Sequence, residues 1–283
     1  MHSNDKKHRK VRKYLSGPNF SGQHLLHSPQ VVRKMIDKAG IRSGDTVLDL
    51  GAGKGALTFD LAAKAERVIA VENDPRFADI LRKKAQAYAN VAIVERNILS
   101  LNWPKRPFRV VASIPFSITT PILVKLLDPP SVHFRSAVLL IEYGAAKRFT
   151  SRLIRDPRIL GWRMQFDLEW IEMVPRDHFS PPPRVDSAIF LIRRKAVPLV
   201  ADGHRRLFDG LAKYALKHPD LPAGIALKGV FTPPQIARLC RNLGVAPHAP
   251  VCTLTEAQWG EIFRTMIEHV PPYRWPRPSG NGA

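Results

Sequence analysis

Apolar positions along the first two thirds of the chain follow two alternating rhythms. Short apolar blocks at Thr46-Val-Leu-Asp-Leu50 and at residues 67–71, 91–95, 109–113 and 136–142 have the length and β-branched content of buried strands. Between them lie stretches with helical spacing. The first covers residues 29–39, introduced by Ser28 and Pro29, with Val31, Val32, Met35, Ile36 and Ala39 on one face. Others are predicted at residues 56–65, 75–87, 120–127 and 143–150. Strand and helix in turn predict a largely parallel, doubly wound sheet. Two more strands, residues 162–174 and 187–193, are separated by proline-rich sequence too short for a crossover helix, so they are expected to pair antiparallel at one edge and bring the total to seven. After Val197 the strand rhythm stops, and helices are predicted near residues 204–217, 234–243 and 256–269, followed by a proline-rich tail read as extended. The pattern divides the chain into an N-terminal arm (1–20), an α/β domain (21–196) and a small all-helical domain (197–283).

Composition narrows the class. With 45% hydrophobic and 24% charged residues over 283 positions, the chain has enough apolar material for a packed core. Lys and Arg outnumber Asp and Glu by 44 to 24, a formal charge of +20, and such an excess is self-repulsive unless a polyanion binds, which points to nucleic acid. No apolar run approaches the roughly 20 residues of a membrane-spanning helix, so no membrane association is expected. Cys240 and Cys252 lack the paired spacing of a zinc site and are too few for a disulfide framework, so no metal and a cytoplasmic location are expected. Lys6, Lys7, Arg9, Lys10, Arg12 and Lys13 precede no apolar segment and read as a basic arm rather than a secretory signal; a merely solvated tail is the competing reading.

Four features carry candidate chemistry. In Leu48-Asp-Leu-Gly-Ala-Gly-Lys-Gly55 a strand ends in Gly51, Gly53 and Gly55, which permit a tight turn and close approach of a ligand. The spacing is not that of a nucleotide-triphosphate loop. Glu72, closing the second strand about 20 residues on, has the position of a carboxylate that accepts from ribose hydroxyls. These two features mark a nucleoside cofactor without separating NAD from other adenosyl ligands. Asn97, just past the third strand, offers a carbonyl to an adenine amine, or is an ordinary turn former. Ser113-Ile-Pro-Phe116 ends the fourth strand beside the crevice of a doubly wound sheet, where Phe116 can cap a base and carbonyls near Ile114 can hold its amine.

In this order the residues resemble the rRNA adenine N6-methyltransferases and, within them, the erythromycin-resistance (Erm) enzymes acting on large-subunit rRNA. The resemblance begins at Gly22-Gln-His-Leu-Leu26 and continues through Asp49 to Thr58, Val71 to Pro75, Asn97 to Leu99, Ser113 to Phe116 and Phe179 to Ala188. It implies a Rossmann-like, seven-stranded, S-adenosylmethionine-dependent methyltransferase domain with a helical RNA-binding domain behind it. It further implies cofactor contacts at His24, Leu26, Gly51, Gly53, Glu72, Asn97 and Ser113, and a catalytic Ser113, Ile114, Pro115 and Phe116. The implied substrate is 23S rRNA, protein-free or in an early assembly precursor, modified by a monomer, with macrolide-lincosamide-streptogramin B resistance as the consequence. The sequence departs from the family's pattern at His24 and Ser113, where Asn is usual, and at Asn97, where Asp is usual. Because the Ser113 hydroxyl is shorter than an Asn amide, slower reaction or preferential monomethylation is expected. The alternatives are a small-subunit (16S) rRNA adenine dimethyltransferase, which typically carries Asn-Leu-Pro-Tyr, a noncatalytic RNA-binding ribosome-assembly or transcription factor of the same fold, and a nicotinamide oxidoreductase, which the positive charge disfavours.

Overall fold

The computed structural model describes residues 24–277, so the expected basic arm lies outside the described residues, as do Gly22 and Gln23. The chain forms two compact units. The first holds the described residues up to Thr150 together with Leu168–Arg194; the second holds Ser151–Asp167 and everything from Lys195.

The first unit is built on a seven-stranded sheet. Numbering from the short strand β1 (Leu25–Leu26), its members are β2 (Thr46–Leu50), β3 (Arg67–Glu72), β4 (Val91–Glu95), β5 (Phe108–Ser113), β6 (Phe134–Glu142), β7 (Phe166–Val174) and β9 (Ser187–Arg194). They lie in the order β4-β3-β2-β5-β6-β9-β7. Pairs β2–β3, β3–β4, β2–β5 and β5–β6 are parallel, and β6–β9 is antiparallel. The chain therefore moves outward from β2 to β4 and returns to the other side of β2, which places a topological switch between the carboxyl ends of β2 and β5.

Local chemistry explains the flanking helices. Helix α1 (Pro29–Ala39) starts at Ser28, whose Oγ accepts from Val31 N–H, and stops at Gly40, held at φ 57°, a left-handed conformation that glycine takes without penalty. Its predicted apolar face is buried and joins Val111, Val138, Leu140, Ile189 and Leu191 of the sheet in one core. Helix α2 (Thr58–Ala62) is shorter than the 56–65 expected, because residues 56 and 57 still belong to the glycine turn. Helices α3 (Pro75–Ala85), α4 (Thr119–Leu127) and α5 (Tyr143–Thr150) follow. On the opposite sheet face the α5 ring of Phe149 packs 5.8 Å from Phe190 of β9.

The strand expected over residues 162–174 is corrected in its first part, which is helical: α6 runs Pro157–Gln165 and β7 begins only at Phe166. The Asp156 side chain accepts from Arg158 N–H and Pro157 takes the first helical position, a complete start device. The apolar run Ile159 to Met164 is buried, and short apolar runs do not distinguish a buried helix from a strand. The expected boundary at 196/197 changes with it. Ile154, Leu160 and Met164 share a core with Phe208, Leu211, Trp259 and Phe263, so residues 151–167 belong with the C-terminal unit.

That second unit contains α6, α7 (Arg205–Ala215), α8 (Ala223–Ala226), α9 (Pro233–Leu243) and α10 (Glu256–His269). Both α9 and α10 open with reciprocal capping boxes, Thr232 with Gln235 and Thr255 with Gln258. The tail is not simply extended: Pro272–Arg274 form a 3-10 turn, and the chain beyond it crosses α7 at Gly210, where an added Cβ would stand 2.8 Å from Pro276 O. Among the described residues no helix is long and apolar enough to cross a membrane.

Candidate active site

The glycine turn stands directly on the sheet. Gly51 and Ala52 N–H both donate to Val71 O of β3, at 2.8 and 3.1 Å, and Gly51, Gly53 and Gly55 have φ of 76°, 56° and 88°. These left-handed values are open to glycine at little cost and are rare for other residues. A Cβ on Gly51 would lie 3.6 Å from Pro115 Cδ, 3.8 Å from Ile98 Cδ1 and 3.8 Å from Ser113 O. The turn, the residue after Asn97 and the Ser113–Pro115 segment thus converge at the switch between β2 and β5. A Cβ on Gly53 would lie 3.0 Å from Leu25 Cδ2, so the β1 segment covers the same turn.

Glu72 is buried and fixed by backbone donors. Its Oε2 accepts from Gly53 N–H at 2.8 Å, and its Oε1 accepts from Asn73 N–H at 2.7 Å and Asp74 N–H at 2.8 Å. Oε2 keeps a lone pair for a further donor, whereas Oε1 is already doubly engaged. Under the turn lies Asp49, which sequence reasoning quoted within the motif without assigning it a role. Its Oδ2 accepts from Thr58 Oγ1 at 2.7 Å, while its Oδ1 is buried with no partner. Burial pushes its pKa up to about 7, the Thr58 hydrogen bond opposes that, and the nearby Glu72 carboxylate adds to it.

Asn97 closes β4's exit. Its Oδ1 accepts from Leu99 N–H at 2.8 Å and caps the 3-10 turn Ile98–Ser100, so the turn-forming role is real and one lone pair of that carbonyl remains. In the Ser113–Phe116 segment, Ser113 pairs with Leu140 of β6, Ile114 is buried, Pro115 is exposed, and the half-buried Phe116 begins a 3-10 turn.

His24 and Leu26 are held by residues far away in sequence, and Leu25 between them is the one that reaches the glycine turn. Strand β1 pairs antiparallel with β8 (Phe179–Ser180), Leu25 opposite Ser180 and Leu26 opposite Phe179. His24 Nδ1 donates to Pro181 O at 2.7 Å, which fixes the ring and leaves Nε2 as the second polar atom. Residues 24–26 and residues 179–181 of the proline-rich motif thus pair across 157 positions, which no local pattern reveals.

The sequence model of the ribosomal RNA adenine dimethylase family matches residues 16–268. The chain belongs to this family. The enzyme is 47% identical to an rRNA adenine N-6-methyltransferase of Bacillus licheniformis over 92% of this chain and 91% of the relative. It is 33% identical to the ribosomal RNA small subunit methyltransferase A of a Synechocystis strain, over 89% and 96%. Among solved structures, the 23S rRNA methyltransferase ErmE superposes with a TM-score of 0.79 at 27% identity, over 86% of this chain and all of that one. The seven-stranded sheet is the Rossmann-like methyltransferase core, and the chain is an rRNA adenine methyltransferase by family.

Proposed function

We propose that this enzyme moves a methyl group from S-adenosylmethionine to N6 of one adenine in 23S rRNA and thereby confers macrolide-lincosamide-streptogramin B resistance on a cytoplasmic ribosome. The observation that carries the reading is the convergence of Gly51, Ile98 and Ser113–Pro115 within 3.6–3.8 Å, which joins a nucleoside cradle to a base-holding segment.

The residues fit that cofactor. Two carboxylates, Glu72 and Asp49, whose Oδ1 has no partner, flank the turn and interact electrostatically. Such a floor suits a ligand carrying sulfonium and ammonium charges and repels the pyrophosphate of NAD. Glu72 Oε2 is available to a ribose hydroxyl, Asn97 to the adenine, and the β1 segment with His24 and Leu26 covers the methionine end. The cofactor supplies an electrophilic methyl. The chain's own part is to hold the target: Phe116 caps the flipped ring, and carbonyls near Ile114 accept from its amine so that the nitrogen lone pair faces the methyl. No strong general base is needed, because the amine sheds its proton readily once methylated. Ser113 gives a shorter grip than Asn, which favours slower or single methylation.

The large-subunit assignment is supported by the Ser-Ile-Pro-Phe segment and by the likeness to the 23S rRNA methyltransferase ErmE over 86% of this chain. The test is transfer of labelled methyl to protein-free 23S and 16S rRNA by wild type, Glu72→Ala, Phe116→Ala and Ser113→Asn. Label is expected in 23S rRNA alone, lost by at least tenfold in the two alanine variants, with more dimethyladenine from Ser113→Asn. Label confined to 16S rRNA would transfer the enzyme to the small subunit.

A further inference from the structure

One aromatic and cationic patch in the first unit is not used by the reaction just described. Tyr143 opens α5 immediately after β6, and its ring meets the indole of Trp170 on β7 edge-on, with centroids 5.3 Å apart. Lys147, one turn further along α5, holds its Nζ 5.3 Å from the Tyr143 ring centroid. Trp170 sits on the outermost strand of the sheet and is 38% exposed, and Lys147 on α5 is exposed as well. The exposed part of the indole, together with the Tyr143 ring it meets, leaves an aromatic surface open to a ligand.

Position and charge identify the occupant. Ser113 pairs with Leu140 in the parallel β5–β6 ladder, so Tyr143 stands three residues beyond Ser113's partner, at the same carboxyl end of the sheet as the base-holding segment. A protein surface would also cover an indole, but the chain carries +20 and Lys147 stands over the Tyr143 ring, a cation beside exposed ring surface, the combination that binds an unpaired nucleotide through its ring face and its phosphate. We propose that Tyr143, Trp170 and Lys147 form a platform on which an unpaired RNA base neighbouring the reacting adenine stacks, with Lys147 at its phosphate. This rests on the RNA reading above. Extruding the target adenine breaks its stack with its neighbours, and a stacking surface outside the cleft restores part of what is lost.

The experiment uses the full-length enzyme and a hairpin RNA substrate, intact or with a single abasic position on either side of the reactive adenine. Trp170→Ala is expected to raise KM for RNA about tenfold with kcat and KM for S-adenosylmethionine nearly unchanged, and Trp170→Phe to restore most of it. One abasic position is expected to weaken wild type and to have little further effect on Trp170→Ala, because the same contact is already missing. Lys147→Gln should weaken RNA binding equally on intact and abasic substrates. Unchanged KM in Trp170→Ala, or equal losses from every abasic position in both proteins, overturns the platform. A wild-type enzyme that neither binds nor methylates any RNA overturns the RNA reading itself, a distinct result. Urea unfolding of each variant separates a lost contact from a lost fold, and a Trp170→Phe protein that is stable yet as weak as Trp170→Ala also counts against stacking.

Discussion

Two carboxylates show how differently the same chemical group behaves when its partners differ. Glu72 is buried but receives three backbone N–H donors, whereas Asp49 is buried with one hydroxyl donor and an unpartnered oxygen, and its pKa rises to about 7. A carboxyl whose folded pKa exceeds its unfolded value near 3.8 stabilises the fold fully only below that unfolded value, and the contribution disappears as pH rises through about 7. The shift corresponds to roughly 4 kcal/mol, released between pH 4 and 7. Urea unfolding of the cofactor-free enzyme across that window should show stability falling with pH, and Asp49→Asn should remove most of the slope. An unchanged slope in the variant would mean that Asp49 is not a buried acid. The same electrostatic strain is relieved when a cation binds beside the carboxylate, so S-adenosylmethionine should bind more tightly as pH rises through 7.

At the scale of elements, a helix was legible where a long apolar period ran through it, and a start device alone was not enough. The apolar spacing placed a helix near residues 256–269, and the structure has α10 over that range, opened by the Thr255–Gln258 capping box. Where the pattern was short, the prediction failed: Ile159 to Met164 reads equally as strand or buried helix, and the Asp156-Pro157 start decided for helix. Gly210 illustrates a constraint that belongs to no single element. Ala in place of a mid-helix glycine usually gains about 1 kcal/mol, yet here a Cβ would meet the Pro276 carbonyl at 2.8 Å, and backbone gives way less easily than a side chain. Overpacking of this kind costs about 1–3 kcal/mol, so Gly210→Ala should be net destabilising and should expose the chain after Val270 to trypsin at Arg274. A stabilised variant with an unchanged digestion pattern would show that the tail does not pack on α7.

For the whole molecule, the charge of +20 predicts binding dominated by phosphate contacts. RNA affinity should fall linearly with log salt, each phosphate neutralised on an unpaired strand contributing about 0.7 to the slope. A flat dependence would indicate recognition by base contacts alone. The alternation of strands and helices was enough to indicate a doubly wound sheet with a glycine turn after one strand and a carboxylate closing the next, because these features arise from periodicity and from residues close together in the chain. The division into units, the antiparallel seat of β9 between β6 and β7, and the pairing of β1 with β8 that carries Leu25 onto the glycine turn were decided only by the tertiary structure. So were the unpartnered Oδ1 of Asp49 and the meeting of Tyr143 with Trp170. Each depends on which distant segments exclude water from one another, and burial of that kind leaves no period in the sequence.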